Sequence, residues 1–253
     1  MNIDYSSYQE VILENLKLDP VDWKFKNDPR YTQILEHVTY NIGCQYMDEL
    51  QNRFNEIFTK HKEYLINICN ENDSYGKTIK NSFDNFIICS PSNLRYILHS
   101  FLILDWAKKC SLNELNIIEI GGGYGGLSLF LHKLASLFEI NLKSYTIFDL
   151  PEALLLQKKY LELHNITIET FNIKDNFNLN KNSFLISNYA YSEINDEYRN
   201  LYTEKVLNPY TSHGFLTWNF IKIYNFIENK EIITEDEHPL TNPLNYYIYY
   251  KPK

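Results

Sequence analysis

Two carboxylates and a cluster of glycines in the middle of the chain have the types and spacing to do chemistry. Glu119 stands two residues ahead of Gly121 in N-I-I-E-I-G-G-G-Y-G-G-L-S-L-F-L-H-K-L, residues 116–134. Residues 116–120 are a β-branched run that reads as a buried strand, 121–126 are a glycine cluster, and Leu127, Phe130, Leu131 and Leu134 recur at helical spacing. Strand, glycine turn and helix together present backbone N–H groups and the positive end of a helix dipole to a ligand. Glycine lets that ligand approach without a Cβ in the way. Gly121, Gly122 and Gly123, followed by Tyr124, form the candidate cradle. Gly121, Gly123 and Gly126 also satisfy G-x-G-x-x-G, the pattern of a dinucleotide site. Glu119 tilts the choice of ligand. A carboxylate at the tip of a buried strand needs a cationic or hydrogen-bonding partner, and a pyrophosphate is neither. S-adenosylmethionine carries an ammonium and a sulfonium and has no phosphate, so it suits that carboxylate better. The bland alternative is that Glu119 caps a backbone N–H or pairs with a lysine.

The second carboxylate is Asp149, at the end of another short run, 144–148, and followed by Leu150-Pro151-Glu152. A carboxylate there can accept both hydroxyls of an adenosyl ribose, with Leu150 beside it. Its plainer role would be to cap the helix that Pro151 opens. Taken together, E-I-G-G-G-Y-G-G, F-D-L-P-E and S-N-Y-A-Y-S-E (187–193) resemble the sugar O-methyltransferase family, within the class I S-adenosylmethionine-dependent methyltransferases. The resemblance runs from about Phe25 to the C-terminus and includes R-Y-T-Q-I-L-E-H-V (30–38) and S-P-S-N-L-R-Y (90–96). The glycine cluster is common to class I enzymes. Its combination with the other two motifs is more specific.

This resemblance implies S-adenosylmethionine as cofactor and methyl transfer to an oxygen of a sugar, a sugar nucleotide or a related precursor of a surface (capsular) polysaccharide, including a phosphate or phosphoramidate group. The reaction is an in-line attack on an already activated methyl, so the protein mainly positions the reactants. An alcohol must also lose a proton, so a general base helps. Glu193, which closes S-N-Y-A-Y-S-E after the strand 183–188, is the first candidate. His37 is the second, and His213, at the start of a strand, ranks below both. Arg95, with Tyr96 beside it, could bind a phosphate or the cofactor carboxylate bidentately. By analogy with class I enzymes, Asp175 would accept the adenine amino group, and Asn188 with Ser187 would hold the methionine ammonium. The cluster Glu235-Asp236-Glu237-His238 reads as a solvated loop rather than a metal site.

The elements that must position these residues fall into two regions. Residues 1–110 hold little glycine and read as a helical cap: a helix over 8–18 stopped at Asp19-Pro20, a loop anchored by Trp23 and Phe25, two helices within 31–70 divided at Gly43, and a helix from Ser90-Pro91 to about Cys110. Such caps bury a substrate or form a dimer interface. Residues 111–253 alternate strand and helix: helix 151–163, strand 166–171, strand 183–188, helix 197–207, strand 213–221, and strands 232–234 and 245–250. The fold expected is α/β, a Rossmann-like class I methyltransferase sheet of seven strands, the last antiparallel, with an N-terminal helical cap.

Composition narrows the partners. The chain has 253 residues and a net charge of −8, with no long basic run, which argues against nucleic acid. The four scattered cysteines read as small buried hydrophobes in a reducing compartment. No basic-then-apolar leader and no membrane span is read, so a cytoplasmic protein acting on a small-molecule acceptor is expected, with a homodimer as one option. Two other readings compete. An NAD-dependent oxidoreductase would use the same glycine turn, but its Tyr-x-x-x-Lys matches, Tyr247 with Lys251 and Tyr249 with Lys253, fall in a run read as strand. A non-catalytic methyltransferase-like binding protein would have no need of both Glu119 and Asp149.

Overall fold

The computed structural model describes residues 5–83 and 86–253. The first helix, α1 (Ser6–Leu16), buries Tyr8, Val11 and Ile12 on one face. Asp19 then caps a 3-10 turn by accepting from the Val21 N–H. Trp23 and Phe25 are fully buried and anchor the segment, as their size and apolarity predict. The short helix α2 (Pro29–Thr32) follows, capped by Asp28. Next come α3 (Tyr40–Lys60) and α4 (Lys62–Asn72). Gly43 does not divide two helices as expected; α3 instead kinks at Phe54, and the break between α3 and α4 falls at His61. Gly43 lies inside α3 because a Cβ there would come within 2.8 Å of Phe83 Cζ and 3.1 Å of Pro91 Cβ. It therefore marks a close approach between elements.

A two-stranded hairpin, β1 (Asn81–Phe83) and β2 (Ile87–Cys89), was not foreseen. Strands of three residues are too short for a two-residue alternation to register. Pro91 then opens α5 (Pro91–Lys109) as the sequence predicts, although the Ser90 side chain makes no capping bond.

Seven strands form the main sheet: β3 (Glu114–Ile120), β4 (Asn141–Phe148), β5 (Glu169–Phe171), β6 (Ser183–Asn188), β7 (Thr211–Trp218), β8 (Lys230–Asp236) and β9 (Tyr246–Pro252). Their spatial order is β5-β4-β3-β6-β7-β9-β8. All pairs are parallel except those of β9, which runs antiparallel between β7 and β8. The connecting helices are α6 (Gly126–Leu134), α7 (Pro151–Glu162), α8 (Ala190–Glu193), α9 (Asp196–Tyr202) and α10 (Asn208–Tyr210), with a π-helical turn over Thr203–Leu207. The helix expected over 197–207 is thus a short α-helix running into that turn.

Parallel strands covered on both faces read as continuous apolar runs. Along β3, Leu115 and Ile117 enter one hydrophobic cluster, while Ile118 and Ile120 enter the cluster on the opposite face. The same alternation places Glu119 on the side of Leu115 and Ile117. That face carries α5, α6 and α7. Packing does not stop at residue 110, because the cap helices and the sheet share one cluster. Within it, the His99 ring of α5 lies 6.0 Å from Phe215 and 5.7 Å from Tyr247. Among the described residues no helix is long and apolar enough to cross a membrane.

Candidate active site

The strand order reverses direction between β3 and β6, and open α/β sheets bind ligands at such a point, beyond the carboxyl ends of the strands. The glycine turn sits there. Gly121 follows β3, donates its N–H to the Phe148 carbonyl at 2.9 Å and has φ +78°. A Cβ on Gly121 would lie 2.1 Å from the Ala190 Cβ. Gly123, at φ +60°, faces Leu35 from the cap, 3.2 Å from where its own Cβ would be. The turn is therefore pinned between α8 and the cap. Gly121→Ala is expected to destabilise the protein by roughly 1–3 kcal/mol through strain and overpacking, and urea denaturation checks this. An unchanged midpoint would show that the turn relaxes freely.

Two neighbouring cavities open at this end of the sheet, of about 580 and 430 Å³. The first is lined by Phe148, Asp149, Leu150, Asn172 and Ile173, with Tyr198 and Tyr202 on one side and Tyr5 and Tyr8 of the cap on another. The second is lined by Glu119, Gly122, Arg95, Tyr96, Asn188 and Tyr189, among others. Both touch Ile34, Leu35, Gly121, Gly123 and Glu193.

Glu119 is 1% exposed and accepts one hydrogen bond, from the Tyr145 hydroxyl at 2.8 Å. Burial pushes its carboxyl up to about 7, opposed in part by the Tyr145 bond. Among the described residues it forms no ion pair, so the lysine partner considered from the sequence is not found. Asp149, on the neighbouring strand, accepts from Gln157 Nε2 at 2.7 Å and from the Leu150 N–H at 2.8 Å. Burial pushes it up to about 6, against the pull of those bonds. Gln157 also donates to the Gly123 carbonyl at 2.9 Å, tying the second strand end to the turn.

Glu193 ends α8, the single turn that leads out of β6. Its carboxylate accepts from Asn219 Nδ2, and burial raises its pKa above the ordinary carboxylate value. Tyr189 enters that turn at φ +62°, and its N–H donates to the Thr217 carbonyl at 2.8 Å. Asn188 lines the second cavity, its Oδ1 accepting from Thr217 Oγ1 at 3.0 Å.

The remaining expected site residues divide. Arg95, Tyr96 and His37 all line the second cavity, with His37 exposed at its rim. Tyr96 donates its hydroxyl to Glu36 Oε1 at 3.1 Å. Asp175 is exposed and lines neither cavity. It accepts from the Asn172 N–H at 2.7 Å and so folds the turn after β5, leaving Asn172 and Ile173 on the cavity wall. The Tyr124 side chain is also turned away. It is buried, with its hydroxyl on Asn72 and its ring 4.1 Å from the Lys26 ammonium. Ser187 donates to the Ile120 carbonyl at 2.8 Å and accepts from the Tyr191 N–H, which makes it a splice between β6 and β3. His213 lies near the start of β7, at the far end of the sheet from the cavities.

The acidic cluster at 235–238 is not a solvated loop. Glu235 pairs with Arg53 at 2.7 Å, and Glu237 is fully buried. Glu237 accepts from Tyr189 Oη, from the Thr241 N–H and hydroxyl, and from Asn245 Nδ2. This hub clamps the 237–245 loop over the second cavity, which Thr241, Asn242 and Asn245 help to line. Sequence reading missed these residues, as it missed Tyr5, Tyr8 and Asn219. Only Asn172 had a local signal, its place directly after a strand end.

Strand order, the antiparallel β9 and the glycine turn at the switch point define the fold as Rossmann-like, of the class I methyltransferase type. No family profile matches the chain, and no curated protein matches it. Among solved structures it is similar to the magnesium protoporphyrin IX methyltransferase of Synechocystis PCC 6803, with 10% identity over 78% of this chain and 98% of that one and a TM-score of 0.45. It is also similar to the CMeT domain of the citrinin polyketide synthase (16% identity, 64% and 54% covered, TM-score 0.43) and to a 23S rRNA methyltransferase (13%, 60% and 67%, TM-score 0.39). At these values the fold assignment rests on the topology of the chain itself.

Proposed function

We propose that the protein is an S-adenosylmethionine-dependent O-methyltransferase whose acceptor is a sugar, a sugar nucleotide or a related small precursor. The observation that carries this reading is the pair of carboxylates, Glu119 and Asp149, at adjacent strand ends by the glycine turn, each lining one of two neighbouring cavities that share wall residues. The donor set fits the cofactor. Glu119, with a single hydrogen bond, is suited to an ammonium. Asp149 is held by Gln157 to meet a ribose, and the aromatic walls of the first cavity suit an adenine ring.

The cofactor supplies a methyl group already activated on a sulfonium. The chain's own residues do the rest. The glycine turn admits the ligand to the backbone, Leu35 of the cap lies over that turn, and Glu193 lines both cavities. A carboxyl there, raised by burial and oriented by Asn219, can take the proton of an acceptor hydroxyl as it attacks. The sugar-type acceptor is supported by the resemblance of S-N-Y-A-Y-S-E and F-D-L-P-E to the sugar O-methyltransferase family, and by the small, partly polar second cavity.

Thermal denaturation with S-adenosylhomocysteine, with NAD as control, tests the cofactor. Ligand at about 100 times its dissociation constant stabilises the native state by roughly 2.7 kcal/mol. A rise in Tm with S-adenosylhomocysteine alone is expected. A rise with NAD alone would turn the reading toward hydride chemistry, and no rise with either would remove the catalytic assignment.

A further inference from the structure

The second cavity holds a buried charge that the cofactor reading does not use. Arg95 is 7% exposed, yet among the described residues it forms no ion pair, and its Nε has no hydrogen-bond partner. A guanidinium stays charged at any physiological pH. Burying one without a paired carboxylate is costly, and the nearby Glu36 is engaged by the Tyr96 hydroxyl instead, which leaves the guanidinium to a partner that arrives with a ligand. Two of the polar side chains near it, neither of them on the cavity wall, lack partners as well. Both ring nitrogens of His99 and the hydroxyl of Tyr46 are buried without hydrogen-bond partners. Burial, aided by the Arg95 charge, pushes His99 down to about 3, so it is a neutral hydrogen-bonding group. The Tyr96 ring lies beside the guanidinium, its centroid 5.5 Å from the guanidinium carbon.

We propose that this end of the second cavity is an anion seat built on Arg95, and that it receives a carboxylate or phosphoryl group carried by the acceptor. The inference rests on the methyltransferase reading and narrows its substrate class to acidic or phosphorylated acceptors. The competing source of the same chemistry is the cofactor's own carboxylate, which must lie beside its ammonium. Around Arg95 stand the Glu36 carboxylate and the neutral hydroxyls of Tyr96, Tyr46 and Tyr189, whereas Glu119 has the Tyr145 hydroxyl and Asp149 beside it. Arg95 and Glu119 line the same cavity but have different immediate neighbours, and Arg95 shares its part of the lining with Tyr189 and with Thr241 of the loop that Glu237 clamps. A planar guanidinium binds either oxyanion bidentately, which would fix the acceptor's orientation while Glu193 meets its hydroxyl.

The test uses the full chain, wild type and two variants, Arg95→Met and Arg95→Lys, each first checked for an unchanged circular dichroism spectrum. Calorimetry measures S-adenosylhomocysteine binding, then titrates the loaded protein with D-glucuronate, D-glucose 6-phosphate and D-glucose. Expected are cofactor affinities within about twofold across the three proteins, and binding of at least one anionic probe about tenfold tighter than glucose. That preference should be lost in Arg95→Met and partly kept in Arg95→Lys. A tenfold loss of S-adenosylhomocysteine affinity in Arg95→Met would assign the guanidinium to the cofactor and overturn the proposal. So would anion binding that is absent in the loaded wild type, no tighter than glucose, or unchanged in Arg95→Met. Failure of the wild type to bind S-adenosylhomocysteine at all would instead remove the underlying methyltransferase reading.

Discussion

Replacing Glu119 is expected to remove cofactor binding while leaving the protein folded. Truncating one partner of a buried charge pair costs about 2–5 kcal/mol, which is roughly 30-fold or more in affinity. Glu119→Ala also strands the Tyr145 hydroxyl, so Glu119→Gln is the cleaner variant: its amide oxygen can still accept that hydrogen bond, but the charge is gone. Calorimetry with S-adenosylhomocysteine, which keeps the ammonium, reads the effect directly. Wild-type affinity in Glu119→Gln would mean that the carboxylate has no part in binding.

The same residue sets a pH dependence. In the free protein Glu119 is pushed up to about 7 from an ordinary value of 4.5, because burial disfavours the charged form. Between those values the folded protein keeps a proton that the unfolded chain has released, so this group's contribution to stability falls as pH rises through that window. Ligand binding has the opposite sign, because an ammonium stabilises the carboxylate. Affinity for S-adenosylhomocysteine should therefore rise with pH up to about 7, by at most one decade per pH unit from this group. Asp149, pushed up to about 6, adds a second step at lower pH if its charged form receives the ribose. In Glu119→Gln the upper step should vanish and the lower one remain. A flat profile in the wild type would contradict both assignments.

The second large effect is on turnover. Glu193→Gln should bind S-adenosylhomocysteine as the wild type does and lose about 10²- to 10⁴-fold in rate, the usual contribution of a positioned general base. The readout is S-adenosylhomocysteine release in the presence of a mixture of sugar phosphates, sugar nucleotides and uronic acids, less the acceptor-free rate. A base works only when deprotonated, so the wild-type rate should climb with pH through a value above that of an ordinary carboxylate, the direction in which burial moves Glu193. Glu193→Gln should lack that limb. Near wild-type turnover in the variant would pass the role to another group, with His37, at the rim of the same cavity, next in line.

What the sequence determined by itself is what depends on neighbours along the chain. Residues 116–120 are apolar and β-branched, Gly121–Gly126 cannot continue a strand, and Leu127–Leu134 repeats at helical spacing, so strand, turn and helix follow from local preference and period. Pro91 and Pro151 mark helix starts for the same reason, and Glu119 and Asp149 are fixed by their places at strand ends. Tertiary structure decided everything that depends on distant segments meeting. Gly43 looks like a helix breaker in one dimension and is a contact with Phe83 in three. Asp175 looks like a ligand-facing acid and instead folds its own turn, which puts Asn172 on the cavity wall. Tyr124 belongs to the glycine motif, but its side chain is held in the core by Asn72. Glu237 lies in an acidic run that reads as surface, yet four hydrogen bonds from Tyr189, Thr241 and Asn245 bury it and clamp the loop over the second cavity. Arg95 shows the same division. The sequence placed it early in a helix after Ser-Pro, but only the packing of that helix between the cap and the sheet leaves its guanidinium buried and without an ion pair among the described residues.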